Sequence, residues 1–267
     1  MIGYHSTLAA FRTDKSDTEK TATILNALPG VSHNYLRDNY YNLWFTLTSP
    51  KRVDLKKKIA YLADEAGVGK WLYLPAVKTF GIGLKLKMGQ GVSQSSQSDP
   101  STLSTDITPD PVDTEFIREL QNDLPLTEEP FSHAAQVLGK SQENIVSQIE
   151  NYLKQGVIRR VSAILHPVKA GYRANILVVW SVDQEHRDRF GSYAAAVPEV
   201  SHCYERLPNS GWPYSIYTMV HGCSADHCRG VIERIAREQK LEMYCELPTM
   251  KEYKKERVRY YETKNES

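Results

Sequence analysis

Apolar positions along this chain follow two periods, a strand period and a helix period, and the two alternate in a fixed order. Residues 6–11, the Val-Ser-His segment near 31–37, 43–47 and 70–74 read as strands, while 18–28 and 53–65 read as helices. The same succession returns later. Strands are expected at 175–182, around 200–206, at 216–220 and at 242–247, with helices at 185–195 and 225–239. Strand, helix, strand, strand, helix, strand is the ferredoxin-like order, with helices on one face of an antiparallel sheet. A unit of roughly 80 residues with one bare sheet face is marginal alone, so the two copies should pair over that face or enclose a cavity there.

A different pattern separates the copies. Residues 89–111 are rich in Ser, Gln, Gly and Pro and read as a flexible linker. Asp113 then caps a helix with Phe116, Ile117 and Leu120 on one stripe. A second helix covers 131–138, Gly139-Lys140 makes a turn, and Ser141 caps a third helix bearing Ile145, Ile149 and Leu153. A strand at 156–161 follows, and the whole reads as a winged helix-turn-helix. The expected fold is α+β: a ferredoxin-like module at 1–88, the linker at 89–111, a winged helix at 112–167 and a second module at 168–267. No helical element stands ahead of the first copy, where the strand pattern begins at once.

The duplication is visible in the residues themselves. Gly3-Tyr4 returns as Gly171-Tyr172, and Leu74-Pro75 as Leu247-Pro248. Val31-Ser32-His33-Asn34-Tyr35-Leu36-Arg37 returns as Val200-Ser201-His202-Cys203-Tyr204-Glu205-Arg206, and Tyr41-Asn42-Leu43-Trp44 aligns with Tyr214-Ser215-Ile216-Tyr217. The offset widens at the loop 207–211, where insertion costs little.

Charge and cysteine content narrow the class. With 33 Lys and Arg against 32 Asp and Glu, no global basic field argues for nucleic acid. No run of about 20 apolar residues suggests a membrane span, and the first residues lack a signal-peptide layout. Cys203, Cys223, Cys228 and Cys245 follow neither zinc-finger nor secreted-disulfide spacing, so a cytoplasmic protein with reduced thiols is expected. The His221–Cys228 stretch has metal-like composition. Ser224 as a helix cap, followed by Cys228, Ile232 and Ile235 at helical spacing, makes a buried structural cysteine the better reading.

Strand alternation puts His33, Tyr35 and Arg37 on one face, and His202, Tyr204 and Arg206 on its counterpart. A solvated outer sheet face would also be polar. The same triad at the same place in both copies favours a ligand site. Trp44 and Tyr217 occupy matching positions, Trp212 lies in the inserted loop, and His221 shares a face with Tyr217 and Met219.

A winged helix followed by this module resembles the Lrp/AsnC regulators. The motif runs narrow the resemblance. Val-Ser-His-Asn-Tyr-Leu-Arg with Tyr41–Thr46, and Val-Ser-His-Cys-Tyr-Glu-Arg with Trp212–Gly222, look like the two subunit types of the sirohaem decarboxylases, fused as in the NirD-NirL or AhbA-AhbB kind. The resemblance implies removal of two acetate carboxylates from sirohaem to give 12,18-didecarboxysirohaem in haem biosynthesis. Substrate and product are then the expected partners, and no cofactor is needed, because the macrocycle stores the electrons and brings its own iron. His202, His33, Arg206 and Arg37 are the expected catalytic set, with His202 the proton donor of one site and His33 its counterpart. The arginines suit non-reacting carboxylates. Tyr204, Tyr35, Trp212, Trp44, Tyr217, His221, Arg159 and Arg160 are expected to contact substrate. His221 or His202 is a candidate axial ligand to the substrate's iron, and no dedicated metal site is expected. The halves should associate with each other or as a homo-oligomer.

Two other classes are open to the same residues. A transcription regulator would need a basic recognition helix, yet residues 141–153 contain no Lys or Arg and do contain Glu143 and Glu150. DNA is therefore not an expected partner. A non-catalytic tetrapyrrole carrier would bind the same ligand without releasing carbon dioxide.

Overall fold

The computed structural model describes residues 3–82, 111–158, 161 and 171–262. The first half runs β1 (Tyr4–Phe11), α1 (Thr18–Asn26), β2 (Val31–Arg37), β3 (Leu43–Pro50), α2 (Leu55–Glu65) and β4 (Trp71–Ile82). Three helices follow, α3 (Pro111–Leu120), α4 (Ser132–Leu138) and α5 (Gln142–Lys154). The second half is β5 (Ala174–Trp180), α6 (Arg187–Ala196), β6 (Val200–Arg206), β7 (Ile216–Gly222), α7 (Ala225–Gln239) and β8 (Tyr244–Lys255).

Helix ends are set by side chains. The Asp54 carboxylate accepts from the N–H groups of Lys56 and Lys57 at the start of α2, and Ser224 accepts from His227 N at the start of α7. Ser141 caps α5 through Asn144 N, and Gly139 ends α4 in the left-handed region at φ 61°.

Within each half the sheet order is β4-β1-β3-β2 or β8-β5-β7-β6, and the halves join through β2–β8 and β4–β6 into a closed antiparallel eight-strand barrel. The sheet faces left bare by the helices thus cover each other. β4 and β8 run well past the expected ends at 74 and 247. Their outer halves, beginning just after Pro75 and Pro248, pair with the opposite half rather than their own. Both seams carry bulges, which is why no regular alternation marks these residues.

Three apolar layers result. Phe11, Leu25, Phe45 and Ile59 pack the first sheet against α1 and α2, while Trp180, Phe190, Ile232 and Ile235 do so for α6 and α7. Cys228 lies in this second layer, so it is structural. Between the sheets sit Trp44, Leu74, Val179, Trp212, Tyr217 and Leu247. Each large side chain buried here contributes about 1.5–3 kcal/mol.

The helical unit has its own core of Phe116, Ile117, Ile145, Ile149 and Tyr152. Tyr152 fills the stripe position expected of Leu153, which is 38% exposed. The segment after β8 ties this unit down. Arg118 Nε donates to Tyr261 O, Gln121 Nε2 to Tyr260 O, and Tyr261 N to the Tyr4 hydroxyl. The helix expected to start at Asp113 begins at Pro111, a residue well suited to a first helical position. The rest of the expected linker lies outside the described residues. So do Arg159 and Arg160; the described residues of the expected wing strand do not form one, since Gly156–Ile158 make a turn closed by Ile158 N to Tyr152 O and Val161 lies in no strand. Among the described residues, no helix is long and apolar enough to cross a membrane.

Candidate active site

β2 and β6 face each other across the barrel, with three strands between them in either direction. On β2, Val31 and Asn34 turn outward toward α1, where Asn34 Nδ2 donates to Asn26 Oδ1 at 2.9 Å. On β6, Val200 and Cys203 turn toward α6. His33, Tyr35 and Arg37, and likewise His202, Tyr204 and Arg206, therefore point into the space between the sheets. Both strands bulge just before the histidine, between Val31 and His33 and between Val200 and His202. The bulge brings each serine beside the ring that follows it.

Ser32 Oγ lies 2.9 Å from His33 Nδ1 and 2.8 Å from Thr46 Oγ1. Ser201 Oγ lies 2.7 Å from His202 Nδ1 and 2.7 Å from His221 Nε2. The first serine thus joins an imidazole to a hydroxyl, the second joins two imidazoles. Burial pushes the His202 pKa down to about 4, helped by repulsion from His221 and His33. His221 is pushed to about 4 by burial and then by Lys255, and His33 is lowered by burial and Lys255 against an opposing pull from Glu252. All three rings are neutral near pH 7. His33 acts electrostatically on His202, and Lys255 on both His33 and His221, so the two triads face one common space between the sheets, the chamber.

The arginines are deeply set, 4% exposed for Arg37 and 8% for Arg206. Arg37 Nη1 donates to Leu247 O at 2.7 Å and to Thr249 Oγ1 at 3.1 Å, and its Cζ lies 5.1 Å from the Tyr35 ring centre. Arg206 Nη1 donates to Leu74 O, and its Cζ lies 5.3 Å and 5.4 Å from the ring centres of Tyr204 and Tyr217. Each arginine so clamps the strand arriving from the opposite half. Burial lowers both pKa values to about 10, leaving them cationic at neutral pH. Nε of each is buried without a hydrogen-bond partner, and no carboxylate of the described residues offsets either charge. Burial raises the Tyr35 phenol to about 12, so it stays a donor.

The expected aromatic contacts divide. Tyr35 and Tyr204 line the chamber beside their histidines, with ring centres 6.1 Å and 6.2 Å away. Trp44 and Trp212 are 1% and 5% exposed and sit with Tyr217 in the apolar layer. Trp212 Nε1 donates to the Tyr217 hydroxyl at 2.8 Å and Trp44 Nε1 to Tyr41 O at 2.6 Å, so these rings wall the chamber with their polar ends already satisfied.

Sequence reasoning missed the residues brought in by the seams. Lys255 pairs with His33 and Glu252 with Tyr35, whereas Ile82 pairs with His202 and Thr79 with Tyr204. Extending the match from Leu74-Pro75 and Leu247-Pro248 along both strands would have found them. Ser32 and Ser201 were within the repeated motif but were passed over for the histidines. Among the described residues no cluster of three or more His, Cys, Asp or Glu could hold a metal ion. Cys223 Sγ and His227 Nδ1, 3.2 Å apart, are an exposed surface pair.

The family model for the AsnC-like ligand binding domain matches residues 1–81 and 169–254, and that for the siroheme decarboxylase NirDL-like HTH domain matches 113–159. A siroheme decarboxylase from Hydrogenobacter thermophilus is 34% identical over 98% of this chain and 78% of its own length. This chain belongs to the siroheme decarboxylase family. Two crystal structures of the family member NirDL, one of them in complex with an iron-uroporphyrin III analogue, superpose with TM-scores of 0.77 and 0.76 at 31% and 30% identity. Each covers 98% of this chain, which spans 76% of theirs. Family members occur as separate subunits as well. The siroheme decarboxylase beta subunit of Methanosarcina barkeri is 35% identical over 56% of this chain, matching 99% of that subunit.

Proposed function

We infer that this chain is a sirohaem decarboxylase, a carboxy-lyase that removes the two ring acetate carboxylates of sirohaem to give didecarboxysirohaem. Its family membership and the chemistry of the chamber agree on this. The observation that carries the site assignment is a pair of buried guanidinium groups, Arg37 and Arg206, left without a carboxylate among the described residues and each sharing a tyrosine neighbour with a histidine of its own strand. A buried charge lacking a counter-ion is costly, and a polyanionic ligand would offset it.

Loss of carbon dioxide leaves an electron pair that the macrocycle delocalises and a ring carbon that must be protonated. His202 is the proton donor of this reading, and His33 its counterpart across the chamber. His221 or His202 remains the candidate for axial contact with the substrate's iron. The arginines hold carboxylates that do not react, because pairing with the departing one would stabilise the ground state. The chain is read as two fused ferredoxin-like modules, at 1–88 and 168–267, around a winged helix at 112–167 that serves as scaffold. Arg159 and Arg160 are assigned to substrate carboxylates.

Anaerobic incubation with sirohaem, followed by mass spectrometry, tests the activity. Loss of one and then two carboxyl groups is expected. An unchanged mass with a shifted Soret band would make the protein a tetrapyrrole carrier instead.

A further inference from the structure

Each decarboxylation consumes one proton, and two acetates react on each substrate molecule. His202 is neutral and deep in the barrel, so it can give its Nε2 proton once and must then be recharged. Its Nδ1 is held by Ser201 Oγ at 2.7 Å, and that same oxygen lies 2.7 Å from His221 Nε2. Among the described residues the other contact of this hydroxyl, Met219 O at 3.5 Å, is at the edge of hydrogen-bond range. A serine hydroxyl has one proton to donate. Between two imidazole nitrogens, both far closer than Met219 O, it is placed to accept from one ring and donate to the other.

We propose that Ser201 is a positioning residue that joins His221 to His202 in a proton relay, through which His202 is recharged after each carboxylate leaves. This rests on the decarboxylase reading above. In the active polarity, His221 Nε2–H donates to Ser201 Oγ, and the serine hydroxyl donates to His202 Nδ1. His202 then carries its proton on Nε2, facing the chamber, where no described residue is hydrogen-bonded to it. The bond between the acetate methylene and its carboxylate breaks, carbon dioxide leaves, and the electron pair enters the macrocycle. The methylene carbon takes the His202 Nε2 proton. His202 Nδ1 takes the serine proton, Ser201 takes the His221 Nε2 proton, and His221 Nδ1 takes one from water, whose hydroxide combines with the released carbon dioxide as bicarbonate. Rotation of the hydroxyl and tautomer exchange of both rings restore the polarity before the second carboxylate reacts.

Among the described residues the first half has no such serine-linked pair of imidazoles. Ser32 joins His33 to Thr46 Oγ1, a hydroxyl with no second titrating nitrogen behind it. The relay therefore assigns protonation to the second half and leaves His33 to bind.

The test combines kinetics with nitrogen NMR of the histidine rings in the full chain. Ser201→Ala should lower single-turnover kcat about 10- to 100-fold, within the usual range of general acid catalysis, with KM changed less than about threefold. Ser201→Thr, which keeps the hydroxyl, should restore most of the rate. His221→Gln should give a similar loss, and the double variant should be no slower than either single one, because the residues act in series. In the wild type both rings should be Nε2–H tautomers, and Ser201→Ala should shift that pattern for His202 and His221 together. Full kcat in Ser201→Ala, multiplying losses in the double variant, or a tautomer pattern indifferent to Ser201 would each overturn the relay. If the wild type left the mass of sirohaem unchanged, the decarboxylase reading would fail while the tautomer measurement still decided the relay.

Discussion

The two halves of the barrel start from the same Val-Ser-His bulge and end in different chemistry. In the first, the serine meets Thr46 and the adjoining seam supplies Lys255 and Glu252; in the second, the serine meets His221 and the seam supplies Ile82 and Thr79. One half has charged groups opposite its histidine and tyrosine at the seam, while the other has uncharged ones there and links two imidazoles through its serine. Duplication preserved the backbone device, and divergence changed the neighbours that decide whether an imidazole can be resupplied with protons. The arginines did not diverge. Both clamp the carbonyl of the corresponding leucine, Leu247 or Leu74, in the strand from the opposite half.

Several substitutions would break this comparison. His202→Ala should lower the decarboxylation rate by about 10²–10⁴, the contribution typical of a positioned general acid, measured by anaerobic single turnover. His33→Ala should slow it far less and weaken substrate binding more; equal losses would mean that both halves protonate. Arg37→Leu and Arg206→Leu should each weaken sirohaem binding about 10- to 100-fold, as expected for losing a charge-assisted contact of about 1.5–3 kcal/mol. Their folding stability should fall little, since an uncompensated buried charge is removed with the clamp. A Soret titration and thermal melts separate the two effects. Trp44→Ala, by contrast, should cost about 3–5 kcal/mol of stability through the cavity it opens between the sheets.

Acid should act on the second half first. His202 and His221 have folded pKa values of about 4, below the ordinary 6.5. Between those values the unfolded chain binds more protons than the folded one, so stability is complete above about pH 6.5 and is lost as the pH falls toward 4. Denaturant midpoints across that window should decline, and His202→Phe should flatten the slope. The smallest expected effect is that of Lys255→Ile, which makes the first seam resemble the second. Removing that positive charge should raise the pKa of both His33 and His221, read by NMR titration; no movement of either would place Lys255 outside the shared chamber.

Local signals made much of this legible. Helix periods located α2, α5 and α7, the last two with Ser141 and Ser224 as caps, and strand alternation correctly turned His33, Tyr35 and Arg37 to one face. Pairing of the bare sheet faces followed from the size of each copy. The seams did not, because residues 75–82 and 248–255 gain their strand conformation from partners far away in sequence, and bulges erase the alternation that would announce them. For the same reason the arginines looked like free anion clamps, when each already spends one nitrogen on a main-chain carbonyl. Trp44, Trp212 and Tyr217 could have been core or platform from sequence, with core the commoner role for such aromatics, and the second sheet laid over them makes them a wall.

The seam between β2 and β8 also bears on biosynthesis. β2 emerges from the ribosome early and finds β3 at once, but its other edge waits until β8 has been made. Throughout that interval the first half offers neighbouring chains an open strand edge and, through the absent second sheet, the apolar patch around Trp44. Yield in cells should therefore be governed by how long that edge stays uncovered, and supplying the second half in trans during synthesis should protect it.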